Sequence, residues 1–239
     1  MLIFAHRGAS GYQPENTLIA MQAALDMNVQ AIELDVHNVE GQLVVFHDRR
    51  LEGKSNGKGL IRQLSFSDLP KLSVKQQPIP TLWQVLELIN GRCMVNIELK
   101  GDDTASALIN LYPKIFTQLK FTHQQILISS FNHPYLAQIK QTCADAYVAP
   151  LLGGIPLDLA KCVTDLNAYS VHLDLSFVSK ALIDDAHQRG AKVYVYTVDN
   201  ADDIRALQSI GVDGVFSNYP DKALQALKGN HKDYSDWFE

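Results

Sequence analysis

Apolar and polar positions along this chain form a repeated two-part pattern. Short apolar runs begin at residues 2, 31, 94, 125, 146, 170, 192 and 214, each only a few residues long. Runs of that length, bounded by Gly, Pro, Asn and Asp, read as buried strands. Between them lie segments with apolar residues at helical spacing: 17–27 (with Leu18, Met21, Ala24 and Leu25 on one face), 81–89, 104–119, 132–142, 156–163, 180–189, 201–210 and 219–227. Strand and helix thus alternate eight times, which selects α/β architecture and a closed (β/α)8 TIM barrel over an open doubly wound sheet. The chain has 239 residues, a length that one such barrel fills.

The rhythm breaks once. After the second run and its extension at 42–46, joined by a tight turn at 38–41, segment 49–80 contains SNGKG, a short helical stretch at 65–72 and a stop at Pro78 and Pro80. It is expected to be a small lid-like insertion on the face where a barrel carries its active site. The expected organisation is one catalytic domain over 1–228 and a polar tail at 229–239. Tyr234, Trp237 and Phe238 in that tail either pack on the barrel base or stay loose.

Charged residues interrupt the apolar runs at a few positions, and these carry the chemistry. The first run ends in His6-Arg7-Gly8, the extension of the second in His47-Asp48, and the second holds Glu33 and Asp35 inside it. Side chains alternate across a strand, so Glu33 and Asp35 share one face, about 7 Å apart. Ile32, Leu34 and Val36 fill the other face. Two carboxylates in a buried strand repel each other and lose hydration unless a cation lies between them. The run at 94–99, MVNIEL, adds Asn96, Glu98 and Lys100 on one face. Oxygen ligands without Cys or His at metal spacing suit a hard ion such as Mg2+ or Ca2+ rather than zinc. His37 continues the Glu33–Asp35 face but precedes a turn, and is expected in solvent. His172 ends the sixth run and is expected to reach the mouth.

HRG followed by PENT, then ELD, HD and ELK, in this order and spacing, resembles the glycerophosphodiester phosphodiesterase family from His6 to about Pro220. The resemblance implies a TIM barrel that uses one divalent cation, Mg2+ or Ca2+, to hydrolyse glycerophosphodiesters to sn-glycerol 3-phosphate and an alcohol. By the same resemblance His6 and His47 are the acid/base pair, and Glu33, Asp35 and Glu98 the metal ligands. Arg7 matches the family's phosphate-contacting arginine and Lys100 its lysine near the site. His172 and Tyr196 are added as substrate contacts. The chain departs from the family pattern at Tyr196, where Trp is usual, and at Ser217-Asn218, where Thr-Asp is usual. The turn at 39–41 is short, and Gly53–Ser55 lacks an Arg-Thr-Thr pattern. These departures bear on substrate preference.

Composition narrows the picture further. Formal net charge is −5 and no Lys/Arg run stands out, which argues against nucleic acid or an anionic membrane as partner. No apolar run approaches a membrane span and the N-terminus carries no signal-peptide pattern, so no stable membrane anchor and a cytoplasmic location are expected. Cys93, Cys143 and Cys162 are odd in number and far apart, which argues against a disulfide framework. A homo-oligomer is left open. Two other readings compete: a phospholipase-like enzyme acting on lysophospholipids, and a non-catalytic barrel that binds a phosphorylated ligand. The largely polar insertion favours water-soluble head groups over the first, and the intact His6, His47, Glu33, Asp35 and Glu98 argue against the second.

Overall fold

The structure, a computed structural model, describes residues 1–229 and Tyr234. In chain order the strands are β1 (Leu2–Ala5), β2 (Ala31–Val39), β3 (Gln42–Val45), β4 (Ser73–Val74), β5 (Gln77–Pro78), β6 (Met94–Leu99), β7 (Ile126–Ser130), β8 (Tyr147–Leu152), β9 (Ser170–Asp174), β10 (Lys192–Tyr196) and β11 (Gly214–Ser217). The helices are α1 (Leu18–Asp26), α2 (Leu82–Ile89), α3 (Thr104–Gln118), α4 (His133–Thr142), α5 (Lys161–Leu166), α6 (Lys180–Gln188), α7 (Ala201–Ser209) and α8 (Pro220–Ala226). Strands β1, β2 and β6 to β11 run parallel, each beside the next in sequence, and β1 pairs with both β11 (Leu2↔Gly214) and β2 (Phe4↔Ala31). Those two pairings close the ring. The eightfold alternation read from the sequence is therefore a TIM barrel.

Strand periodicity sorts side chains between two cores. Outward residues of β2 and β6, including Ile32, Leu34, Val95 and Ile97, are fully buried under the helices with Leu82, Leu86 and Leu108. Each such side chain stabilises the fold by roughly 1.5–3 kcal/mol. Inward residues fill the barrel with aromatic rings: Phe4 stacks on Phe216 at 4.5 Å and meets Tyr194 at 5.0 Å. Phe4→Ala would leave a void in that layer and cost about 3–5 kcal/mol. The aromatic layer fills the barrel below its C-terminal mouth, where the charged inward side chains gather.

Caps set where several helices begin. Thr17 accepts a hydrogen bond from the Ala20 amide, and Thr81 and Gln84 form a reciprocal capping box ahead of α2. The helix expected at 156–163 starts later, at Lys161. Leu159 adopts φ +52, which a helix cannot accommodate, and Asp185 binds the Ala160 amide instead of an upstream carbonyl.

The second strand extends beyond 36 and forms an antiparallel hairpin with β3 through Glu40 and Gly41, both at positive φ. Between β3 and α2 the chain makes two 3-10 turns (Ile61–Gln63 and Phe66–Lys71) and the small β4–β5 hairpin. Pro70 keeps the second turn from lengthening into an α-helix. Ile61, Leu69, Val74 and Ile79 pack with Val39, Val44, Phe46 and Leu51 into a separate small core. Of the tail, Tyr234 is buried and its hydroxyl donates to Asp202, while Trp237 and Phe238 lie outside the described residues. Among the described residues no helix is long and apolar enough to cross a membrane.

Candidate active site

Parallel register brings the three carboxylates together. Asp35 and Glu98 are direct partners across β2 and β6, and Glu33 lies one inward position below Asp35, opposite Asn96. One oxygen from each of Glu33, Asp35 and Glu98 lies within 4.8 Å of the others, and all three residues are buried. Burial and the charge of Asp35 push Glu33 well above the usual carboxylate range and Glu98 up to about 7. Burial acts the same way on Asp35, but Lys100 and Arg7 outweigh it and hold its carboxyl below the ordinary value. Lys100 Nζ is 2.5 Å from Glu98 Oε1 and 3.5 Å from Asp35 Oδ1, yet Glu98 still rises, because desolvation exceeds what one ammonium returns. Glu33 Oε1 is buried without a hydrogen-bond partner. Three converging carboxylates, one with an orphaned oxygen, make a donor set that a hard divalent cation fits.

The PENT segment, which the sequence leaves divided between a helix start and a loop-holding role, belongs to this site. The helix cap is Thr17. Asn16, buried at φ +59, donates from Nδ2 to Asp35 Oδ2 at 2.9 Å and accepts the Asp35 amide at 3.3 Å. Glu15 accepts from Arg7 at 2.9 Å and from Lys54 at 2.8 Å. Arg7 is thereby fixed between Glu15 and Asp35, and its backbone amide donates to Glu33 Oε2 at 2.8 Å. Gly8 follows at φ +77, where a Cβ would lie 2.6 Å from the Ala20 carbonyl carbon. Only glycine lets this loop lie flat on α1.

The two histidines reach the same cavity by different routes. His6 leaves β1 and its Nδ1 lies 2.8 Å from Asn218 Oδ1. Asn218 cannot turn over, because its Nδ2 donates to Asp199 Oδ2 at 2.7 Å and its backbone amide to Asp199 Oδ1 at 2.8 Å. An amide oxygen only accepts, so this network assigns the His6 proton to Nδ1 and leaves the Nε2 lone pair toward Glu33 Oε2, 3.8 Å away. Burial and the Arg7 charge push His6 down to about 4. His47 follows β3 and places Nδ1 2.5 Å from Asp48 Oδ1, so its other ring nitrogen is the one open to the cavity. Ser10, the nearest hydroxyl to His6 in sequence, donates to the His6 carbonyl and to Asn218.

His37 does not lie in solvent as the turn beside it suggested. It is 5% exposed and donates from Nε2 to the His47 carbonyl at 3.1 Å. The hairpin folds over its ring, and Gly101, at φ +79, leaves room where a Cβ would come within 2.8 Å of His37 Nδ1. His172 does not end its strand either, since β9 continues to Asp174. It lies fully buried inside the barrel, 5.0 Å from Phe216 and 5.5 Å from Tyr194, with Nε2 3.2 Å from Ser170 Oγ. Burial pushes it down to about 3.

His6, Arg7, Glu33, His47, Glu98 and Lys100 line one side of a cavity of about 210 Å3, and Phe131, Leu151, His172, Tyr196 and Phe216 the other. Every residue named from the sequence for this site borders the cavity except Asp35, which stands behind it under Arg7 and Lys100. Asp199 and Asn218, Phe131 and the buried His37 are additions of the structure. A signal for the first pair was present in the polar Asp199 and Ser217-Asn218 at the ends of two late strands.

Comparison with known proteins agrees with this geometry. The chain matches the Glycerophosphoryl diester phosphodiesterase family over residues 6–222. It is 30% identical over 243 residues to a glycerophosphodiester phosphodiesterase of Caldanaerobacter subterraneus subsp. tengcongensis, covering 95% of this chain and 98% of that one. A glycerophosphodiester phosphodiesterase of Bacillus altitudinis is 32% identical over 242 residues, covering 93% and 96%. Among solved structures, an Oleispira antarctica phosphodiesterase in complex with the product sn-glycerol-3-phosphate superposes with a TM-score of 0.88 at 28% identity, covering 96% of this chain and 97% of that one. With a matching fold and near-complete coverage of its relatives, this chain belongs to the glycerophosphoryl diester phosphodiesterase family and is a phosphodiester hydrolase.

Proposed function

We propose that the protein hydrolyses glycerophosphodiesters to sn-glycerol 3-phosphate and an alcohol, with Glu33, Asp35 and Glu98 holding one Mg2+ or Ca2+ ion. The observation that carries the reading is the convergence of three buried carboxylates, Arg7, Lys100 and two histidines on one side of a single cavity. The cation, when bound, neutralises phosphate charge and acidifies a hydroxyl near it. Arg7 and Lys100 stand at the cavity wall as phosphate partners, Arg7 with the planar donor fork that matches phosphate oxygens.

The hydrogen-bond network supports distinct roles for the histidines. His6, neutral and with its Nε2 lone pair free, takes the proton of the glycerol hydroxyl next to the ester. That oxygen attacks phosphorus, the bond to the alcohol breaks, and His47 gives the departing oxygen its proton. Asp48 engages His47 Nδ1 and so turns the other ring nitrogen toward the departing oxygen. The product is a cyclic glycerol phosphate, which water opens with the two histidines in exchanged roles. Intramolecular attack supplies a large effective molarity, so orientation of the glycerol is the main task left to the protein. Segment 49–80, tied to Glu15 through Lys54 and to Asp102 through Arg62, stands beside the charged side, outside the cavity lining, and selects among substrates that extend beyond the cavity.

Purified enzyme should release sn-glycerol 3-phosphate from glycerophosphocholine and related diesters and lose that activity on exhaustive chelation. The analogue lacking the neighbouring hydroxyl should bind and resist cleavage. Full activity without metal, or turnover of the deoxy analogue at the natural rate, would contradict the proposal.

A further inference from the structure

His6, Glu33, Asp35 and Glu98 lie in strands of the closed ring or directly after one, whereas His47 follows β3, which pairs with β2 alone among the strands. β3 ends at Val45, so Phe46, His47 and Asp48 belong to no regular element. The His47 ring is bound to Asp48, its neighbour in sequence, a contact that travels with the loop. Among the described residues, the hydrogen bonds that leave residues 46–48 both end on β2. The Phe46 amide donates to the Asp35 carbonyl at 3.0 Å, and the His47 carbonyl accepts from His37 Nε2 at 3.1 Å.

Strand alternation explains why His37 is there. It shares one face of β2 with Glu33 and Asp35. Parallel pairing of β2 with β6 stops at Val36↔Leu99, and β2 then continues in its hairpin with β3, where His37 lies opposite Val44. The face that carries the carboxylates thus extends past the mouth and meets the loop that carries His47. On the other side of the ring the loop after β6 lies close at Gly101, which keeps the imidazole against the carbonyl. A carbonyl only accepts, so Nε2 carries a proton and donates it. An apolar side chain would fill the same space without the cost of burying a polar ring. What the imidazole adds is the donor.

We propose that His37 is a positioning residue for the reaction: its hydrogen bond holds the His47 backbone at a fixed place above Glu33 and Asp35. One strand then aligns both the carboxylates and an acid/base group. The inference rests on the phosphodiesterase reading above, with His47 transferring a proton. His37 does not border the cavity and acts through His47. Misplacing an acid/base group by about 1 Å can cost on the order of 10²-fold in rate, so a single tie here is visible in kcat.

The test compares His37→Leu, which fills the space without a donor, with His37→Gln, whose amide nitrogen lies as many bonds from Cα as Nε2 does. His37→Asn carries the same amide one bond nearer the backbone and serves as a second variant without the tie, should His37→Leu not fold. kcat and KM are measured on glycerophosphocholine with whichever of Mg2+ and Ca2+ supports wild-type turnover. Calorimetric titration gives the affinity for that cation, and far-ultraviolet dichroism reports the fold. His37→Leu and His37→Asn should lower kcat about 10–100-fold, with KM and cation affinity within about twofold of wild type. His37→Gln should restore kcat to within a few-fold. In a His47→Asn background, His37→Leu should cause no further loss, because its effect passes through the group already removed. Wild-type kcat in either folded variant without the tie overturns the inference. So does a His37→Gln enzyme no faster than His37→Leu, which reduces the role to packing. A fall in cation affinity that matches the fall in kcat assigns the effect to the carboxylates, and a full loss in the His47→Asn background shows a route around His47; each overturns it too. All of these results leave the phosphodiesterase reading standing. Absence of turnover by wild type overturns that reading and this inference with it.

Discussion

The two sides of the barrel mouth are built from the same strand alternation and hold opposite chemistry. On β1, β2, β3 and β6 the last inward positions are His, Arg, Glu, Asp and Lys, bound to one another in a network with Asn16, Glu15 and Asn218. On β7 to β10 the cavity wall is Phe131, Leu151, His172 and Tyr196, held by ring contacts and by single hydrogen bonds from Tyr196 to the Leu152 carbonyl and between His172 and Ser170, with no ion pair among them. The charged side is a costly construction, since each buried carboxylate must be offset by a cation or a donor. The apolar side costs nothing to bury and leaves its outermost residues in water. Catalytic groups need fixed geometry, and a wall that only has to be apolar does not.

If the charged side carries the reaction, the largest effects should come from its histidines. His6→Asn and His47→Asn should each lower kcat by about 10²–10⁴ with the circular dichroism of the barrel unchanged. A loss below tenfold for either would remove that residue from proton transfer. Tyr196→Phe, on the opposite wall, keeps the ring and should stay within a few-fold of wild type, which sharpens the contrast.

A smaller effect is expected one step behind the cavity. Asn16→Ala removes the donor that orients Asp35 and should weaken divalent-cation affinity by about 10–100-fold, as loss of an orienting partner typically does. Calorimetric titration of the metal would measure this without reference to turnover. Unchanged affinity would mean that Arg7 and Lys100 position Asp35 alone.

The smallest effect concerns stability on the apolar side. His172 is held neutral, with its folded value near 3 against 6.5 in an unfolded chain. Its contribution is therefore fully present above pH 6.5 and is lost as pH falls toward 3. Each unit below 6.5 costs about 1.4 kcal/mol from this group. Urea unfolding of wild type should weaken between pH 6.5 and 5 by about 2 kcal/mol more than that of His172→Phe, whose ring suits the aromatic layer. Parallel pH profiles for the two proteins would refute the assignment.

The same contrast explains what could be read from the sequence. Glu33, Asp35 and Glu98 stand out because a carboxylate inside an apolar strand is anomalous, and alternation alone puts them on one face. Phe131 and Leu151 are invisible to that logic, since an apolar residue at a strand end looks like core. The eight strands were legible from their spacing, whereas the start of α5 was not, because the positive φ of Leu159 leaves no mark in the hydrophobic pattern. His37 misled for a related reason. Its neighbours form a turn, but the hairpin and Gly101 close over its ring, and such long-range cover has no local signature.

The small core beneath segment 49–80 sets one of the two histidines on a part of the molecule that should open before the barrel does. His47 follows Phe46, which is buried in that core, whereas His6 belongs to the barrel proper. A core of a few side chains opens at a lower free energy than a closed ring of strands. Heating should thus carry His47 out of position while far-ultraviolet dichroism still reports an intact barrel. Thermal inactivation would then be reversible on cooling and would precede unfolding, as a local loss of register between two acid/base groups.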